Sequence, residues 1–240
     1  MSSSPHDPSR RAAFAAVGAA GAGLVLTLPG CAKTPKDDDE SQPDTTAVED
    51  LMREHGILRR LIFVYRETAA MIRKAPTSLD LAALGQAAGL FRTFGEDYHE
   101  RSLEEAHVFP MVKTSGGRAS SLIDTLVAQH NRGRQITDFV AARAKVGSLG
   151  DSGPLADALE SFARMYEIHS ALEDTVVFEA WKALLGRKEL NRWADIFEDI
   201  ERATFKGDGF DLALEQVSSI EQRLGLGSLA AFTAPVPPAA

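Results

Sequence analysis

The sequence contains a single cysteine, Cys31, which excludes both an intrachain disulfide and a metal site built from several thiolates. Aromatic residues make up only 7% of the chain, too few for the stacking platforms that bind single-stranded nucleic acid. Positive charge is also scarce, because the formal net charge is -8. The chain is therefore not expected to bind nucleic acid or anionic lipid surfaces nonspecifically. Any metal in the folded part must be held by histidine and carboxylate side chains.

The first 31 residues predict an export signal. Arg10 and Arg11 precede a run of small and apolar residues from Ala12 to Leu28, which is too short and glycine-rich to favour a permanent membrane span. The segment resembles a twin-arginine signal ending in a bacterial lipobox, in which Cys31 is lipidated. This resemblance implies an exported periplasmic or cell-envelope protein that meets the membrane only through a lipid anchor. An ordinary secretory signal with an incidental cysteine, or an uncleaved anchor, is the alternative.

The remaining chain divides by composition into four parts. Residues 32–47 are polar and acidic and predict a flexible linker. Residues 48–186 repeat apolar side chains at steps of three and four without a strand pattern, which predicts an all-α fold. Four long helices with short connections indicate an up-down-up-down four-helix bundle. Residues 187–228 predict further helices packed outside this bundle, and residues 229–240 predict a disordered tail.

Breaks in the apolar pattern set the limits of the four helices. The second helix begins at an N-cap, either Ser78 or Asp80, and runs toward Pro110. Proline or glycine marks the three connections, at residues 74–76, 114–117 and 147–153.

The fourth helix carries a histidine and a glutamate on its core-facing stripe. His169 and Glu173 are four residues apart and continue the apolar series through Phe162 and Tyr166. Burying an ionised carboxylate costs several kcal/mol unless it is paired or bound to a metal. Glu173 therefore predicts further ligands elsewhere in the chain.

Three other histidines are placed to supply them. His55 and His99 lie about twenty residues on either side of the first connection, so an antiparallel hairpin brings them to the same height. His130 and His169 lie at similar distances before and after the third connection, so the second hairpin also brings its two histidines to the same height. Each hairpin therefore brings two imidazoles face to face.

An internal repeat links the two hairpins. The segment from Leu103 to Phe109 mirrors the segment from Leu172 to Phe178, and each copy follows a histidine. Each hairpin thus offers a histidine from its first helix and a histidine and a glutamate from its second. Four imidazoles and two carboxylates suit two first-row transition-metal ions, with iron the natural candidate.

The first copy of the repeat contains one extra residue. Glu104 follows His99 by five residues, so on a regular helix it would point about 140° away. A π-bulge would absorb the extra residue and is the favoured interpretation. Glu100, Glu96 or His107 would otherwise be the ligand.

These residues together resemble the hemerythrin-like HHE cation-binding family. The resemblance implies a four-helix bundle around a non-haem di-iron centre. It implies four terminal histidine ligands and two bridging glutamates: His55, His99, His130 and His169, with Glu104 and Glu173. Arg134 stands where oxygen-carrying members have a second histidine.

The signal segment and the HHE resemblance together imply an exported non-haem di-iron protein that binds or senses a small ligand such as O2, NO or peroxide, or handles iron. We expect a binding protein rather than an enzyme. An oxidoreductase acting on peroxide or nitric oxide is one alternative. A structural envelope lipoprotein without metal is the other. The sequence identifies no protein partner.

Overall fold

The computed structural model describes residues 45–75, 79–146 and 150–238. These residues form helices and connections without a strand, which confirms the all-α class. The predicted signal residues Arg10, Arg11 and Cys31, and the linker as far as residue 44, lie outside the described residues. None of the described helices has the length and apolar character that crossing a membrane requires.

Four long helical stretches account for most of the structure. The first is α1 (Ala47–Lys74) and the third is α4 (Gly117–Ala144). The second and fourth are interrupted by π-helical segments, and their parts follow in chain order: α2 (Leu81–Leu90), π1 (Phe91–Val108) and α3 (Phe109–Ser115), then α5 (Gly153–Leu172), π2 (Glu173–Val177) and α6 (Phe178–Leu184). Two further helices, α7 (Arg187–Phe205) and α8 (Gly209–Arg223), complete the fold.

Local capping explains where the first two helices begin. Thr46 and Glu49 form a capping box, in which each side chain accepts a hydrogen bond from the backbone N–H of the other. Asp80 caps α2 by accepting from the N–H of Ala83 at 3.0 Å. Of the two predicted N-caps of the second helix, Asp80 has this role, whereas Ser78 lies outside the described residues.

The long helices pack as a ring of neighbours. The first helix lies against α5 and also contacts α2 and π1, while α4 packs against both α2 and α5. Their facing sides are apolar and buried, as the sequence stripe predicts. This arrangement is compatible with the predicted up-down-up-down bundle.

The C-terminal helices cover one side of these four. Helices α7 and α8 contact α1, α2 and π1. Arg60 on α1 donates to Glu221 on α8 at 2.8 Å, and Phe197 on α7 stacks on Trp181 at 5.8 Å between ring centroids. Packing of this kind supports the prediction that these helices lie outside the bundle.

The tail differs from its prediction at one turn. Leu229–Phe232 forms a 3-10 helix where the sequence predicted disorder. The reason is an aromatic contact, because Phe232 packs edge-on against Phe63 on α1 at 4.8 Å.

Truncating Phe197 tests how strongly α7 is attached. Phe197 is only 1% exposed and lies among two tryptophan rings. We expect Phe197→Ala to lower the free energy of unfolding by about 3–5 kcal/mol, because it removes a large buried ring and leaves a cavity. Urea denaturation monitored by circular dichroism measures the loss.

Phe139→Ala is the matched control. Phe139 is 39% exposed on α4, so its removal should change the free energy of unfolding by only about 0.5 kcal/mol. Equal losses in the two variants would show that α7 is not held by a packed interface.

Candidate metal centre

The six side chains that the sequence predicted as metal ligands lie together in the protein interior. Each is at most 2% exposed. They fall into two groups, each with its ligand atoms within 4.8 Å of one another. The first half-site consists of His55, His99 and Glu104, and the second half-site consists of His130, His169 and Glu173. The three candidate ligand side chains of each half-site therefore come from one hairpin, as the sequence repeat predicts.

The two half-sites have closely similar geometry. The imidazole rings of His55 and His99 lie 4.7 Å apart between centroids, and those of His130 and His169 are also 4.7 Å apart. The Nε2 atom of His130 lies 3.0 Å from that of His169. All four imidazoles therefore turn their Nε2 edges toward the centre of the site.

Each glutamate faces both half-sites. Glu104 places Oε1 3.4 Å from His99 Nε2 and Oε2 3.5 Å from His130 Nε2. Glu173 places Oε1 3.0 Å from His169 Nε2 and Oε2 3.5 Å from His55 Nε2. Each carboxylate thus directs one oxygen to its own half-site and the other across the centre, as bridging ligands would.

The π1 segment brings Glu104 into this position, whereas Glu173 follows His169 by one regular helical turn. In π1 the extra residue between His99 and Glu104 is absorbed, so that Glu104 points inward, which confirms the predicted bulge. The N–H of Phe109 donates to the carbonyl of Glu104, five residues earlier. The sequence did not predict π2, yet the N–H of Phe178 makes the same bond to the carbonyl of Glu173.

The phenylalanine that follows each π segment also packs on a histidine of the opposite hairpin. Phe178 stacks on the ring of His55 at 5.4 Å, and Phe109 stacks on the ring of His130 at 5.5 Å. The backbone bond and the ring contact together hold each first-helix imidazole in a fixed orientation.

The donor atoms at the centre fit a pair of metal ions. Both oxygens of Glu104, both oxygens of Glu173 and Nε2 of His99 are buried without a hydrogen-bond partner among the described residues. Such orphaned atoms are costly unless a ligand satisfies them. Two donors each about 2.1 Å from one metal ion and roughly 90–109° apart are about 3.0–3.4 Å from each other. Within the half-sites, the second-helix histidines match this range at 3.0 and 3.4 Å from their glutamates, whereas His130 and His55 lie somewhat farther, at 3.7 and 4.0 Å.

The second-helix histidines are anchored on their outer edges by α1 and α4. Glu54 Oε2 lies 2.6 Å from Nδ1 of His99, and Gln129 Oε1 lies 2.9 Å from Nδ1 of His169. Each acceptor directly precedes the first-helix histidine of the same hairpin. With Nδ1 bound as a donor, Nε2 is left free to bind a metal.

The first-helix histidines are anchored by the opposite hairpin. Asp174 Oδ1 lies 2.6 Å from Nδ1 of His55, and Glu105 Oε1 lies 2.8 Å from Nδ1 of His130. Each acceptor directly follows one of the two inward-facing glutamates. Neither hairpin can therefore complete its half-site alone.

An arginine supports each of these two carboxylates. Arg59 donates to Asp174, and Arg134 donates to Glu105 at 2.6 Å. Each arginine follows the first-helix histidine of its own hairpin by four residues. Arg134 is thus paired and buried, and it takes no position among the inward-facing ligand atoms.

Burial and neighbouring charges shift the pKa values of several side chains at this site. Burial works to lower the pKa of His130, but Glu100 and Glu105 outweigh burial and raise it to about 10. Burial works to raise the pKa of Glu173, but His169 and His130 hold it below its ordinary value. Burial raises the pKa of Glu54 to about 7, against the opposing hydrogen bond with His99. Bound cations would displace protons from the imidazoles.

A small cavity lies beside the two half-sites. Leu58 and Ile62 form its apolar wall, while Tyr166 and Glu100 contribute polar groups. The hydroxyl of Tyr166 donates to Glu100 Oε1 at 2.5 Å. The free space in it is about that of a single water molecule, far below the roughly 300–1,000 Å³ of pockets for larger organic ligands. It suits a ligand of a few atoms next to the metal positions.

The alternatives to Glu104 that the sequence left open lie outside the two half-sites. Glu100 pairs with Arg134 at 3.1 Å, and Glu96 accepts from a threonine hydroxyl on α4 at 2.6 Å. His107 packs against a tryptophan ring of α7. These contacts occupy their polar groups or direct them away from the centre.

Four outer acceptors were not predicted from the sequence: Glu54, Glu105, Gln129 and Asp174. Their signal was present in the repeat, because each stands next to a predicted ligand at an equivalent position of the two hairpins. Only the fold shows that the first-helix histidines take their acceptors from the opposite hairpin.

A comparison with protein families agrees with this geometry. The family model described as the hemerythrin HHE cation binding domain matches residues 46–181, more than half of the chain. The chain belongs to the hemerythrin HHE cation-binding family. The family is named for cation binding, and the two His/Glu groups of the structure could hold metal ions.

This HHE protein also resembles proteins of two mycobacterial species. Proteins from Mycobacterium bovis and from two strains of Mycobacterium tuberculosis are each 37% identical to it over 225 residues. The alignments cover 89% of this chain and 87% of each relative. All three are described as uncharacterized proteins. No solved structure gives a significant match.

Gly133 allows Tyr166 to approach α4 and is a sharp test of the cavity wall. A Cβ atom at Gly133 would lie 2.2 Å from the hydroxyl oxygen of Tyr166. Tyr166 cannot retreat easily, because it is bonded to Glu100 and packed against Phe162. We expect Gly133→Ala to lower the free energy of unfolding by about 1–3 kcal/mol through overpacking, measured by urea denaturation.

Gly89→Ala is the control for this substitution. Gly89 is also helical, but no neighbouring atom lies within 4 Å of the place that a Cβ atom would take there. Alanine at this position should raise the free energy of unfolding by about 0.5–1 kcal/mol, because glycine is the poorer helix former. An equally stabilising effect of Gly133→Ala would contradict the close packing of Tyr166 against Gly133.

Proposed function

We propose that this protein is an exported non-haem di-iron protein that binds or senses a small ligand such as O2, NO or peroxide. The observation that carries the proposal is the pair of glutamates, Glu104 and Glu173, each with one oxygen toward each half-site. Two half-sites of two imidazoles each, joined by two carboxylates, provide mixed nitrogen and oxygen ligation for two first-row metal ions. Iron is the metal favoured by family membership.

The cavity supports a small ligand rather than a large substrate. A molecule in it would touch the metal positions on one side and Leu58 and Ile62 on the other. Tyr166 supplies one hydroxyl at its edge. Bound iron would supply open coordination positions, and the surrounding side chains would limit the size and polarity of what reaches them.

Export is part of the proposal on the strength of the sequence alone. Arg10 and Arg11 suit the twin-arginine route, which carries folded proteins and would let the metal be loaded in the cytoplasm. Cys31 would carry the lipid that anchors the mature chain in the cell envelope. The short acidic linker would then separate the bundle from the membrane surface.

An oxidoreductase acting on peroxide or nitric oxide is the second candidate, and one contact favours it. Tyr166 and Glu100 share a short hydrogen bond at the cavity, where a hydroxyl could deliver a proton to a bound ligand. Turnover of hydrogen peroxide or NO by the iron-loaded protein, lost in Tyr166→Phe while iron is retained, would support the enzyme. Binding without turnover would support the binding protein or sensor.

Iron content tests the proposed centre directly. The purified full chain should hold about two iron ions, as a carboxylate site in a helix bundle does. His169→Ala removes a ligand and should lower the content to about one ion or fewer, measured by elemental analysis. His107→Ala is the matched control and should keep both ions, because His107 packs on α7.

Equal iron content in wild type and His169→Ala would contradict the proposal. Absence of iron from both proteins would favour the third candidate, a structural envelope lipoprotein without a metal centre.

Blocking the cavity tests ligand access. Ile62→Phe should leave the iron content unchanged and weaken NO binding at least about tenfold, because the larger side chain fills the space beside the metals. Titration of the reduced, iron-loaded protein with NO, followed by absorption, gives the affinity.

Ile72→Phe is the control for this titration. Ile72 is equally buried on α1 but does not line the cavity, so NO affinity should stay at the wild-type value. An unchanged affinity in Ile62→Phe would show that ligands reach the metals by another path.

A further inference from the structure

In three of the four candidate histidine ligands Nδ1 bonds to a carboxylate, and His169 is the exception. The first-helix histidines both bond to a carboxylate of the opposite hairpin, and an arginine supports each carboxylate. The second-helix histidines differ. His99 is anchored by the carboxylate of Glu54, whereas His169 is anchored by the neutral amide of Gln129.

This difference acts on the strength of the metal ligands. A carboxylate that accepts from Nδ1–H makes the imidazole a better electron donor at Nε2 and fixes its ring, whereas an amide does both more weakly. The distances agree, since Nδ1 is 2.6 Å from Glu54 and 2.9 Å from Gln129. His99 is also held indirectly by Tyr98, whose hydroxyl donates to the other oxygen of Glu54 at 2.8 Å.

The surrounding charges do not reverse this order of ligand strength between His99 and His169. Glu100 brings an extra carboxylate to within 3.9 Å of His130 Nδ1 in the second half-site. Its oxygens are already bonded by Arg134 at 3.1 Å and by the Tyr166 hydroxyl at 2.5 Å. Glu100 therefore adds no acceptor to either histidine of the second half-site.

We propose that the two half-sites hold their metal ions unequally, with the first half-site filled first and the second half-site holding the more exchangeable ion. Gln129 is the residue that sets the difference, as a positioning residue acting through His169. This inference rests on the proposed di-iron function. Removing an outer partner of a metal ligand typically changes affinity by about 10–100-fold, which is the expected ratio between the two binding steps.

Anaerobic titration of the metal-free full chain with Fe²⁺ at pH 8 tests the inference by calorimetry. Wild type should bind two ions in two steps that differ about 10–100-fold in affinity. Gln129→Glu should tighten the weaker step and bring the steps together. Glu54→Gln should weaken the tighter step, with the same loss of separation. Both changes preserve side-chain size, and circular dichroism confirms that the helices are retained.

Two ligand variants assign the steps to the half-sites. His169→Ala should leave the tighter step, and His99→Ala should leave the weaker one. Two ions bound with equal affinity in wild type, unchanged by Gln129→Glu and Glu54→Gln, would overturn the inference and leave the proposed function standing. Failure of wild type to bind Fe²⁺ at all would overturn both.

Discussion

The burial of Glu104 and Glu173 is the constraint on which the rest of the structure depends. Neither carboxylate has a hydrogen-bond partner among the described residues, and both are inaccessible to solvent. Placing an ionised carboxylate in the interior costs several kcal/mol unless opposite charge lies close by. His99 and His130, whose pKa values are raised by neighbouring carboxylates, provide that charge when protonated, or the site binds metal ions that do. The helices must therefore align their histidines at one height, which leaves little freedom in how the hairpins pack.

The exchange of outer acceptors makes the two hairpins dependent on each other. His55 takes its acceptor from the second hairpin, and His130 takes its acceptor from the first. The same crossing recurs in the rings that cover these histidines. A half-site of this design is assembled only when both hairpins dock. Metal binding and docking of the hairpins are thus coupled in one step, as in other proteins whose metal ligands come from separate segments.

The family match ends at residue 181, before α7 begins, so the C-terminal helices are present in addition to the residues that the HHE model matches. They lie against the first hairpin. Aromatic residues of α7 pack on π1 and on α6, and α8 forms an ion pair with α1. Tyr98, which supports Glu54, contacts Phe205 of α7 at 5.1 Å. The addition therefore supports the side of the protein that holds the first half-site, while the cavity wall formed by Leu58 and Ile62 belongs to the HHE domain.

Helix identity and the grouping of the six candidate ligand side chains into two similar half-sites could be predicted from the sequence, because helical spacing and the repeat are local properties of the chain. The extra residue between His99 and Glu104 also predicted the position of π1, since only a widened turn directs that carboxylate inward. The π2 segment left no such mark, because His169 and Glu173 already share a face on a regular helix. The pairing of His55 with Asp174 was decided by tertiary structure alone. Those residues are separated by 119 positions, and only the packing of one hairpin against the other brings their side chains into contact.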